Sequence, residues 1–178
     1  MNRIVSSVTT LLQHIEAIKQ TPEIYRPLAC PHCGIKIVWQ HGYYTRKADR
    51  HHDSDDSLNP VPICRYRCSA CRRTCSRLPL CIAPRRWYNW SVQQSALEAL
   101  LNGDSLRGCA RTQVRDRRTI GRWWHWLANR RQTFEFHLRA RLPELGRVAD
   151  FADIWRQVFK SMGLAATMAL LDQEMIVP

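Results

Sequence analysis

Two short cysteine pairs carry the clearest chemistry in this chain. Cys30-Pro31-His32-Cys33 and Cys68-Ser69-Ala70-Cys71 each hold two thiols three positions apart. Such a turn aims both sulfurs at one point, and two turns together supply the corners of a tetrahedron, the geometry structural zinc prefers. Gly34, directly after the first pair, can adopt positive φ where the chain doubles back. Iron in the same four-sulfur cage fits the spacing equally. A redox Cys-x-x-Cys belongs near a βαβ pattern, and none is visible. The expected cofactor is Zn²⁺ on Cys30, Cys33, Cys68 and Cys71. It is a structural ion, replacing a core that a segment of about 50 residues cannot build alone. Cys64 reads as a strand residue, Cys75 as a small core residue, and His51 and His52 as part of a solvated loop.

The elements that must position these thiols follow from the flanking sequence. Ile35–Arg46 and Val61–Arg67 are rich in β-formers and predict a β-hairpin. Residues 48–60 are polar with little periodicity and read as a mobile loop at its tip. That insertion explains a 34-residue spacer between the pairs, against the usual ~15–20. The architecture expected over 27–83 is a zinc ribbon. Upstream, Ile4, Val8, Leu11, Leu12, Ile15 and Ile18 recur at helical spacing and predict an amphipathic helix over 3–20, within an N-terminal segment 1–26.

Residues 84–131 change character. Ser91–Asn102 reads as an amphipathic helix stopped by Gly103. Ser105 can cap a second helix over Leu106–Gln113, and Asp116 a third running to about Arg130. Three short helices with tight turns, the last basic, describe a helix-turn-helix. At 100° per residue, Ile120, Trp123, Trp124 and Leu127 share the core side of the third helix. Arg115, Arg118 and Arg122 lie opposite with His125, flanked by Thr119, and Gly121 falls near that outer face. Arg suits guanine and phosphate, and Thr suits phosphate or a thymine methyl. Between 85 and 131 there are ten Arg against Glu98, Asp104 and Asp116. The expected DNA contacts are Arg107, Arg111, Arg115, Arg117, Arg118, Thr119 and Arg122, with Arg85 and Arg86 reaching phosphate or a minor groove. Trp126 points off the apolar side, toward the last segment.

Together these residues resemble the zinc-ribbon and helix-turn-helix module of bacterial insertion-sequence transposases and their small regulatory first-frame proteins. The matching pieces are Cys30-Pro31-His32-Cys33, Arg65-Tyr66-Arg67-Cys68-Ser69-Ala70-Cys71-Arg72-Arg73-Thr74, and Ala110-Arg111 through Thr119-Ile120-Gly121-Arg122. The resemblance covers about residues 28–128. It implies binding to terminal inverted repeats, as a repressor or as the targeting part of a transposase. The helix-turn-helix turn here reads Val114-Arg115, where that pattern has Gly and then an apolar residue.

Residues 132–178 predict a helical segment broken at Pro143 and near Gly163, serving as an internal cap or a dimer surface. They are too few for a transposase's carboxylate triad on its own sheet, so the expectation is a binder rather than an enzyme. The fold class expected is α+β. The formal charge of +12 favours an anionic polymer. Double-stranded DNA is the expected partner, with a homodimer or a transposase as a further one, and no membrane or small-molecule substrate. Eight cysteines without a signal-peptide pattern fit a bacterial cytoplasmic protein with reduced thiols. The function expected is a mobile-element DNA-binding protein. The alternatives are a host transcriptional regulator or an adaptor binding RNA or protein.

Overall fold

The computed structural model describes residues 3–48, 58–84 and 88–174. The expected loop therefore lies mostly outside the described residues, as do Arg85 and Arg86. Helices and small sheets combine in an α+β chain, which divides into two units. One comprises Met1–Asn89 with Met168–Pro178, the other Trp90–Thr167.

The N-terminus departs from the expected single helix. Ile4–Val5 form a strand, β1, and the helix α1 spans only Leu11–Gln20. Thr10 explains the late start. Its hydroxyl accepts from the Gln13 N–H while the Gln13 side chain accepts from the Thr10 N–H, a capping box that satisfies two orphan donors. Starting there turns Leu12 outward, 69% exposed, and buries His14 instead. A 3-10 helix, Pro22–Tyr25, follows.

The hairpin forms as expected. Strand β2 (Val38–Arg46) pairs antiparallel with β3 (Val61–Cys68), with a register shift between Gln40 and Tyr43. A third strand, β4 (Thr74–Cys75), adds to β3, so the sheet order is β2-β3-β4. Strand β5 (Leu78–Pro79) instead pairs parallel with β1. Alternate residues of β3 face different cores. Cys64, Tyr66 and Cys68 pack with Val5, Val8, Tyr25, Cys30 and Val38. Val61 and Ile63 pack with Ala48, Leu78 and Ile82. Helix α1 contributes to both, through Ala17 and Ile18 on the first and Leu11 and Ile15 on the second.

Asp172, buried near the end of α7 (Gly163–Gln173), accepts from the Ile4 N–H at 2.8 Å. The chain's last helical turn thereby holds its first strand, 168 residues away in sequence.

The second unit is helical. Helices α2 (Trp90–Leu101), α3 (Leu106–Thr112) and α4 (Arg117–Asn129) start and stop close to where the sequence places them. Ser105 Oγ accepts from the Gly108 N–H and Asp116 from the Thr119 N–H, each at 3.0 Å. The turn before α4 places Val114 at φ 51°. Ile120, Trp123 and Leu127 are buried as expected, while Trp124 is half-buried against Phe151. Trp126 meets Phe134 edge-on at 5.4 Å, in helix α5 (Arg131–Arg141). A 3-10 helix at Pro143–Arg147 and helix α6 (Phe151–Ser161) follow. Arg156 donates to the Leu101 carbonyl at 2.8 Å, satisfying an orphan acceptor at the end of α2.

Candidate metal centre and basic groove

The first cysteine pair sits on a knuckle closed by its own backbone. Cys30 N–H donates to the Ile35 carbonyl at 2.8 Å, and Gly34 N–H to the Cys30 carbonyl at 2.9 Å. The second knuckle repeats this after β3, with Cys68 N–H donating to the Arg73 carbonyl at 3.0 Å. Ser69 N–H bonds the Ile37 carbonyl, and an Arg73 Nη1 donates to His32 Nδ1, so the knuckles are stitched to each other. Hairpin register does the rest, because Val38 opposite Cys68 brings the start of β2 to the end of β3.

The result is a four-sulfur cluster. Cys30 and Cys71 sulfurs lie 3.6 Å apart, Cys33 and Cys68 sulfurs 3.5 Å, and all four lie within 4.8 Å of one another. A tetrahedron with metal–sulfur bonds of about 2.3 Å has edges of about 3.8 Å. The four thiols therefore fit a tetrahedral metal site, buried at Cys30 and Cys68 and open to solvent at Cys33.

Their ionisation points the same way. Burial pushes the Cys30 thiol up, but the N–H groups of His32 and Cys33 and the facing thiols of Cys71 and Cys68 outweigh it and bring it down to about 6. Cys71 runs opposite. The Arg73 N–H lowers it, while burial and its three sulfur neighbours push it up to about 11. Cys30 thus gives up its proton readily, whereas Cys71 holds its proton until a cation balances the thiolates. Cys64 and Cys75 stand apart. Burial raises the Cys64 thiol, and burial with the charges of Cys30 and Cys68 pushes Cys75 up to about 11, so both stay neutral.

The backbone just beyond each pair is left-handed, with φ 76° at Gly34 and 60° at Arg72. The glycine was legible from the sequence. The arginine was not, although its position after the second cysteine matches.

The expected DNA contacts divide into three groups. Arg107, Arg117, Arg118 and Arg122 line one groove of about 690 Å³ with Ser105, Leu106, Gly121 and His125. Among the described residues, no acidic one lines it. Arg111 is exposed on α3 but outside the groove, Arg115 is half-buried in the turn, and Thr119 is half-buried beside its cap. Arg85 and Arg86 fall outside the described residues. Gly121 differs from expectation. It is buried, its carbonyl bonded to His125 Nδ1, and forms the groove floor rather than an outer surface.

The chain thus combines a four-cysteine cluster able to hold a metal, on a three-stranded sheet, with a helical unit bearing an arginine groove. The chain belongs to the family described as a domain of unknown function, DUF6431, whose model matches residues 30–123. That match opens on the first cysteine of the cluster and closes inside α4. No curated protein and no solved structure matches the chain. No helix among the described residues is long and apolar enough to cross a membrane.

Proposed function

We propose that this chain is a zinc-dependent DNA-binding protein, with the ion scaffolding a zinc ribbon and α2–α4 acting as a helix-turn-helix. The observation that carries this reading is the convergence of Arg107, Arg117, Arg118 and Arg122 on one groove that no acidic residue lines among the described residues. Four fixed positive charges there suit the paired phosphates of a duplex, and arginines on the exposed side of α4 suit guanine edges in the major groove. Zinc is the ion proposed because four thiolates at the corners of one tetrahedron make the donor set of a structural zinc site. The motif resemblance favours a mobile-element targeting or repressor protein lacking its own catalytic domain. A neighbouring transposase reading frame in the source genome would support that origin over a host regulator.

Selection of bound duplexes from a random pool tests the core of the reading. Enrichment of one sequence, with affinity falling steeply as salt rises, is the expected result. Recovery of no consensus, or binding indifferent to salt, removes it.

A further inference from the structure

The hairpin carries an exposed aromatic and basic hollow of its own. Trp39 of β2 is 61% exposed, an unusual place for a large aromatic ring. Its cross-strand partner is Arg67. Arg67 Nε donates to the Arg72 carbonyl at 3.3 Å, which anchors the guanidinium to the second knuckle. Trp39, Gln40, His41, Arg67, Ser69 and Arg72 line a hollow of about 310 Å³ that also touches the ligand Cys68.

Charge says what kind of ligand fits. Residues 27–48 and 58–84 contain eight Lys and Arg and no Asp or Glu. Arg72 adds a second indication. It occupies a left-handed backbone that glycine, as at Gly34, would occupy without a β-carbon penalty. Backbone strain held at an exposed arginine marks a side chain kept for what it contacts.

We propose that this hollow is a stacking platform for an unpaired DNA base, with Trp39 against the base face and Arg67 and Arg72 on the flanking phosphates. An aromatic ring among arginines is the arrangement that holds single strands with little sequence preference. A paired base keeps its faces stacked within the helix, so only an unpaired one can lie on Trp39. In choosing DNA over RNA the proposal rests on the reading of α4, whereas the stacking itself does not.

The test is fluorescence anisotropy of the full metal-loaded chain with a labelled oligothymidine, an abasic strand of equal length, an oligouridine and a duplex. Oligothymidine should bind roughly tenfold or more tightly than the abasic strand. Trp39→Ala should remove that advantage and Trp39→Phe should retain most of it. Duplex binding should survive Trp39→Ala and fall with Arg118→Ala. Equal binding of oligothymidine and the abasic strand, or no loss in Trp39→Ala, overturns the platform. Preference for oligouridine overturns the choice of DNA. A concentration-dependent dimer abolished by Trp39→Ala would assign the hollow to a second copy instead. Loss of duplex binding alone leaves this platform standing and removes the helix-turn-helix reading. Metal content and circular dichroism of each variant verify its folding, and Trp39, being exposed, leaves the core intact.

Discussion

Gly34 and Arg72 occupy equivalent places in the two halves of the four-cysteine cluster. Each directly follows the second cysteine of its pair, and each holds a left-handed backbone, with φ 76° and 60°. The two knuckles are thus the same turn built twice, once with the residue that adopts it freely and once with one that does not.

That equivalence predicts opposite stability changes. Gly34→Ala should cost about 1 kcal/mol, the penalty for a β-carbon in this region. An added Cβ meets nothing within 4 Å, so the cost is purely backbone. Arg72→Gly should gain up to ~1 kcal/mol from the same source. Thermal unfolding of the metal-loaded variants measures both, and Arg72→Gly should combine a higher Tm with weaker single-strand binding.

Val114 makes a similar case in the turn before α4. A β-branched residue at φ 51° is strained, and at 80% exposure it receives little packing in return. Val114→Gly should stabilise the helical unit by ~1 kcal/mol and leave duplex affinity unchanged. A lower melting temperature would contradict the turn geometry.

Metal dependence separates the two units. Cys68→Ser removes one corner of the cluster, and a structural zinc ion supplies on the order of 10–16 kcal/mol in zinc-finger peptides. Bound metal should fall from one equivalent to none, and the hairpin should unfold. Helical circular dichroism from residues 90–167 should persist. Cys75→Ala should keep the full equivalent, since Cys75 lies outside the cluster.

Base reading and phosphate contact give different signatures at α4. Arg118→Ala or Arg122→Ala should each lose ~1–3 kcal/mol of discrimination between the selected duplex and a mismatch if the side chain reads a base. A residue touching only phosphate would weaken all duplexes alike and flatten the salt dependence by about one unit. Competition assays at several salt concentrations distinguish these, and an unchanged variant would take its residue out of the interface.

His14 predicts a pH dependence. It is fully buried, with Nε2 at 2.8 Å from the Pro62 carbonyl and Nδ1 at 2.6 Å from the Tyr25 hydroxyl. A carbonyl only accepts, so Nε2 carries the proton and Nδ1 accepts from Tyr25. Burial holds the imidazole below its usual 6.5, against the raising effect of the Pro62 carbonyl. The unfolded chain then binds the proton more readily, so stability is full above about pH 6.5 and declines as pH falls through the shifted value. His14→Gln should remove this component and cost ~1–3 kcal/mol at neutral pH by leaving a buried partner unsatisfied. Denaturant titrations of both proteins from pH 5 to 8 measure the difference, and the acid loss of metal common to both cancels.

Features that depend on near neighbours in the chain can be read from residue order alone. Cysteine spacing identified the four sulfurs that converge, because a Cys-x-x-Cys turn is local geometry and two such turns need only one hairpin to meet. Ser105 and Asp116 announced helix starts because a cap bonds within three residues, and periodicity sorted Ile120, Trp123 and Leu127 from the exposed arginines. The Thr10–Gln13 capping box was equally local, but the apolar run starting at Ile4 masked it. Features that depend on distant partners emerge only from the folded packing. Ile4 and Val5 became a strand because Leu78 and Pro79 lie beside them and Asp172 holds the Ile4 N–H. His14 was buried because Tyr25 and Pro62 supply its two hydrogen bonds. The groove shared by Arg107 and Arg118, and the pairing of Trp39 with Arg67, exist only once helix packing and strand register are set. Energies at such positions come from contacts between residues tens to hundreds of positions apart, which no window of sequence contains.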